Sequence, residues 1–225
     1  MPRDPKKRQK QLTKKAAKRR AALAAREAGT RASAGSSDAR QVALAAKFPI
    51  YECLVPELLF EIGIGNVIVT RTMLHGNVAS ALFLVDVFCL GIKDVFFAVL
   101  SHAAYADRLV ELKQRESFNI IRPTCARKLV EGAEAYARDL GFSPHPDYHV
   151  AKKIFGEIDA QACPMSFEFG KDGKPFFVAG PYDTPARCQT IMDTLMVRCG
   201  PDGFHYLMEI GRPFDEDNPP FSSQS

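Results

Sequence analysis

Long apolar runs are missing from this chain. No stretch reaches the roughly 18–20 consecutive apolar residues that a membrane-spanning helix needs, so no membrane partner is expected. The basic N-terminal segment is not followed by the apolar core of a secretory signal, about 7–15 residues long. Tryptophan is absent, and the aromatic content rests on 16 Phe and 6 Tyr. No Cys-x-x-Cys pair occurs among the six cysteines, and none lies near a histidine at metal-ligand spacing. A Walker A sequence, a G-x-G-x-x-G turn and a G-x-S-x-G elbow are also lacking, as is any internal repeat. These absences remove the common nucleotide-binding, serine-hydrolase and zinc-ribbon classes. A soluble, cytoplasmic chain with no cofactor and no metal is the expectation.

Acidic residues are scarce at the N-terminus. Residues 1–31 hold six Lys and six Arg against only Asp4 and Glu27, a net charge of +10. The other 194 residues hold 18 basic and 24 acidic groups, a net charge of −6. Large apolar residues are equally scarce in the arm, where Leu12 and Leu23 are the only ones after Met1. Such a segment buries too little surface to offset its ordering entropy, and is expected to be disordered or a fraying helix. It lacks the apolar stripe of a membrane-surface helix. Lys6, Lys7, Arg8, Lys10, Lys14, Lys15, Lys18, Arg19 and Arg20 are candidate phosphate contacts on RNA, a ribosomal RNA included, or on DNA. A targeting address and a solubilising tail are the competing readings.

Residues 29–38 (GTRASAGSSD) read as a linker, so 1–38 forms arm plus linker. Asp38 is a candidate cap for a helix over 39–47 that Pro49 ends. Residues 39–211 read as one globular α+β domain, with a mixed or antiparallel sheet and several packed helices. Residues 212–225 read as a disordered tail. Strands are expected at 66–73 and 78–89, paired around His75-Gly76-Asn77, and at 92–100. The nearly continuous apolar run of 78–89 predicts a strand covered on both faces. Helices are predicted over 103–116, 125–140, 147–158 and 186–198. A hairpin is predicted from 166–169 and 175–179, and a last strand over 204–210.

Several side chains are candidates for chemistry. Asp86 and Asp94 interrupt the most apolar stretch. Strand-borne carboxylates hold Mg²⁺ or Mn²⁺ in acidic nuclease sites, given partners such as Glu61, Glu111 or Asp183. The structural alternative pairs Asp86 with Arg71 or Lys93 and leaves Asp94 at a strand entrance. Thr184 and Arg187 stand at a predicted helix N-terminus after Gly180, where an anion is stabilised; capping by Thr184 with Pro185 explains the same residues. His145 and His149 are four apart, but Pro146 separates them and the Glu of H-E-x-x-H is missing. The cysteines are expected as free thiols in a reducing compartment, with Cys188 singled out because it lies in the first turn of a predicted helix, where the dipole lowers a thiol pKa. Phe167 and Phe169 share a face that suits a core or, less readily, a base-stacking platform.

The segments FLVDVFCLGIKDVFF (83–97) and EAYARDLGFSPHPDYHVAKKIFGEID (134–159) resemble segments of a group of bacterial proteins without an established activity. The resemblance implies a bacterial, cytoplasmic source and carries over no catalytic residue. The leading expectation is a non-enzymatic accessory protein: the arm grips nucleic acid and the body docks on a protein partner. The alternatives are a metal-dependent nuclease or phosphoesterase using Asp86 or Asp94, and a protein–protein module whose arm serves solubility or targeting.

Overall fold

The computed structural model describes residues 39–180 and 183–207. The arm and linker at 1–38 and the tail at 212–225 lie outside the described residues. A first helix, α1, covers 39–45 and ends ahead of Pro49, whose ring bars further helix.

Four strands then run as an antiparallel meander: β1 (Ile50–Pro56), β2 (Ile64–Thr72), β3 (Asn77–Asp86) and β4 (Gly91–Ser101). A one-turn helix α2 (Leu59–Ile62) joins β1 to β2. Helix α3 (His102–Lys113) crosses the sheet and brings β5 (Phe118–Ile120) to the free side of β1. The sheet order is β4-β3-β2-β1-β5, antiparallel throughout. The expected α+β class is the observed one.

Pleating divides the side chains between two buried faces. Cys53, Val67, Val69, Ala81, Phe83 and Val85 point to one face, where helix α4 (Pro123–Asp139) packs Leu129, Val130 and Ala133 into the same cluster. Leu54, Ile68 and Leu82 point to the other, where Leu109 and Leu112 of α3 cover them. This double burial is why β3 reads as a continuous apolar run rather than an alternating one. Each fully buried residue of the size of Phe83 contributes about 3–5 kcal/mol relative to Ala. Gly91 opens β4 at φ +66°, and a Cβ there would sit 2.6 Å from Ala137 Cβ and 2.8 Å from the Ala133 carbonyl. The glycine therefore sets how closely β4 approaches α4.

The C-terminal part adds β6 (Phe176–Val178), α6 (Pro185–Cys199) and β7 (His205–Leu207), the two strands pairing in parallel. Phe177, Cys188, Ile191, Leu195 and Phe204 form a second apolar cluster there with Cys89 and Leu90.

Several expectations are corrected, and one strand is added. β1 is a strand the sequence analysis did not assign. The run 78–89 divides, β3 ending at Asp86 before a turn at 87–90. The helix expected over 147–158 is a short α5 (Tyr148–Ala151) followed by a 3-10 turn, Lys152–Phe155. The hairpin of 166–169 with 175–179 does not form: only an isolated bridge joins Lys171 to Lys174, and β6 pairs with β7 instead. Phe167 and Phe169 are committed elsewhere, stacking on Phe60 and Tyr136. Finally, Cys125 and Cys163 form a disulfide with Cα atoms 4.9 Å apart, so these two are not free thiols.

That disulfide is one of several ties on the irregular segment 156–175. Arg127 Nη1 donates to the Gly156 and Ile158 carbonyls, and Lys128 Nζ to those of Cys163 and Met165. Gly170 N–H reaches the Val87 carbonyl. Basic side chains of α4 thus satisfy backbone carbonyls that no sheet or helix would satisfy.

Candidate functional site

Asp86 ends β3 with 6% of its surface exposed. Its Oδ1 accepts the Phe88 N–H at 3.0 Å and the Cys89 N–H at 2.9 Å. The carboxylate therefore closes the 87–90 turn from within. Burial pushes its pKa up, while the turn's N–H groups and Lys93 pull it down. Arg71 is not its partner: the β2–β3 register sets Asp86 opposite Ile64 and Arg71 opposite Ala79, at the other end of the hairpin.

Asp94 stands near the start of β4 with its side chain 68% exposed. It accepts the Val95 N–H at 2.8 Å and lies 3.6 Å from His145 Nε2. His145 Nδ1 is 3.9 Å from Asp147. His145 precedes α5 and His149 sits within it, packed against Tyr148. Glu61 lies on α2, whose capping Gly63 accepts the Val87 N–H of the turn, and Glu111 lies on α3. Among the described residues, no three His, Cys, Asp or Glu side chains converge as a metal site would require.

The third candidate lies where β6 runs towards α6. Thr184 is the N-cap, its Oγ1 accepting the Arg187 N–H at 3.3 Å, and Pro185 follows at N1. Asp183 faces this end of the helix with its side chain only 7% exposed. Its carboxylate accepts the Gly180 N–H at 2.9 Å, pairs with Arg187 Nε at 3.1 Å and lies 3.7 Å from Lys93 Nζ. Arg187 and Lys93 thus share an internal carboxylate, and Lys93 ties β4 to the C-terminal unit.

The four remaining cysteines are free thiols. Burial pushes Cys53 up to about 12 and raises Cys89 further, so neither is a thiolate at neutral pH. Cys188 is buried within the second apolar cluster.

The nine basic candidates from Lys6 to Arg20 fall outside the described residues. The sequence analysis offered Arg71 as a partner of Asp86 and missed its actual role. Arg71 is 6% exposed and reaches three carbonyls on two other segments: Ile154 at 2.6 Å, Phe155 at 2.7 Å, and Phe48. A lone Arg in an otherwise β-branched strand was the only signal of its role. Among the described residues no helix is long and apolar enough to cross a membrane. No protein family, curated protein or solved structure matches this chain.

Proposed function

We propose that this is a non-enzymatic accessory protein that binds RNA, a ribosomal RNA included, or DNA through residues 1–31, and that its α+β body engages a protein partner. One observation carries this reading: a net charge of +10 within 31 residues on a chain whose remainder is −6. Neutralising phosphates with Lys and Arg releases counterions, which drives binding with little dependence on sequence. Lys6, Lys7, Arg8, Lys10, Lys14, Lys15, Lys18, Arg19 and Arg20 make the phosphate contacts. The acidic remainder disfavours a second extended phosphate-binding face but leaves room for a local basic patch.

The test compares full-length protein with a form lacking residues 1–31 for binding to total cellular RNA at two salt concentrations. Salt-sensitive binding that the deletion abolishes supports the reading. Equal binding by both forms, or none by either, sinks it.

A further inference from the structure

Arg71 has more donors than the protein uses. A guanidinium offers five N–H groups, and three are spent on the carbonyls of Phe48, Ile154 and Phe155. One N–H on each terminal nitrogen is left without an acceptor among the described residues. No carboxylate of the described residues forms an ion pair with Arg71. Among the described residues its hydrogen bonds go to carbonyls, from the loop after α1 and from the 3-10 turn. Burial accordingly lowers its pKa.

This cation lines an open cavity of about 640 Å³ together with Ala46, Lys47, Gly156, Glu157 and Ile158. Gly156 is part of the design. A Cβ there would lie 3.2 Å from Arg71 Nη2 and 2.9 Å from the Ala46 carbonyl, so the missing side chain leaves the guanidinium edge open. Lys47 is exposed at the rim and Lys153 is exposed nearby on the 3-10 turn. Glu157 is the one carboxylate on the lining. A forked pair of guanidinium N–H groups matches two oxygens of a phosphate, and the low-dielectric setting strengthens that contact. Position argues for the source of the phosphate. Lys47 lies just beyond α1, nine residues after the basic arm and linker end at 38. Arg31, the last basic residue of the arm, is 16 residues from Lys47 along the chain.

We infer that the Arg71–Lys47 cavity is a phosphate site on the body, which holds one backbone phosphodiester of the nucleic acid that the arm grips. This rests on the accessory reading above: the arm supplies affinity over many phosphates, and the cavity fixes where the body sits on the strand.

The experiment follows amide shifts of the full ¹⁵N-labelled chain as a short oligouridylate, and separately inorganic phosphate, is titrated in. The reporters are the Gly156 and Ile158 amides and the Arg71 Nε–H; arm amides report arm binding independently. Arg71 itself is a poor target because its loss frees three carbonyls, so the exposed Lys47→Glu and Glu157→Gln variants are used. The expected result is saturable oligouridylate shifts at Gly156 and Ile158, weakened about fivefold by the two-unit charge change of Lys47→Glu and tightened by the one-unit change of Glu157→Gln. Oligouridylate shifts confined to the arm overturn the site and leave the accessory reading standing. Phosphate shifts at Gly156 without oligouridylate shifts there also overturn it, and mark a free-phosphate pocket. Shifts at Gly156 with none in the arm retain the site and overturn the arm's role. No oligouridylate shift anywhere overturns both.

Discussion

Cys125 in the first turn of α4 is bonded to Cys163 at the end of a 3-10 turn, across 38 residues of sequence. Cross-linking a loop of that length removes chain entropy from the unfolded state worth about 4 kcal/mol. The bond holds the irregular 156–175 segment onto α4 beside the contacts of Arg127 and Lys128. Thiol titration of the unfolded, unreduced chain is expected to count the four free cysteines, and all six after reduction. Reduction, or Cys163→Ser, is expected to lower the urea midpoint by an amount equivalent to about 2–4 kcal/mol. A midpoint that reduction leaves unchanged would show that the bridge adds nothing to stability.

Asp86 yields a pH dependence of definite sign. Its folded pKa is raised by burial above the unfolded value of about 3.9. Between these two values the folded state binds more protons than the unfolded state. Its contribution is therefore fully present below the unfolded pKa and lost as pH rises through the folded pKa. Asp86→Asn keeps an oxygen to accept the Phe88 and Cys89 N–H groups and removes the titration. Its stability is expected to fall less than wild type's as pH rises from about 4. Parallel denaturation profiles for the two proteins across that range would refute the assignment.

Gly91 and Gly173 separate crowding from backbone conformation. Both have φ near +70°, at +66° and +75°. A Cβ on Gly91 meets α4 at 2.6 Å, whereas one on Gly173 meets nothing within 4 Å. Gly173→Ala is expected to cost about 1 kcal/mol from the left-handed backbone alone. Gly91→Ala adds overpacking and is expected to cost about 2–5 kcal/mol. Urea unfolding of the two variants gives the difference directly, and equal costs would contradict the close approach of β4 to α4.

Charge neutralisation in the arm tests the proposed phosphate contacts. Replacing Lys6, Lys7, Arg8 and Lys10 by Gln is expected to reduce the log–log salt slope of single-stranded RNA binding by about 2.8, at about 0.7 per phosphate released. Filter binding across a salt series measures it. An unchanged slope would remove these four residues from the interface.

Local patterning determined a large part of this protein. The β2–β3 hairpin, the apolar stripe of α4 and the Thr184-Pro185 start of α6 were legible because each depends on neighbours within a turn or two. Asp86 and Asp94 were legible as oddities, since a carboxylate within an apolar run breaks the pattern. Their surroundings were not legible. Asp86 turned inward to close its own turn, and Asp94 met His145 from a segment about fifty residues away. The charge asymmetry between arm and body is a property of composition and needs no structure to be seen. Tertiary structure alone decided what pairs over distance. β1 has modest local signal and becomes a strand because β2 and β5 flank it. Phe167 and Phe169 leave the expected hairpin because Phe60 and Tyr136 offer stacking partners that local alternation does not encode. Cys125 meets Cys163, and Arg71 meets three carbonyls on two distant segments, through contacts whose loop-closure entropy is offset only once the sheet and its helices have assembled.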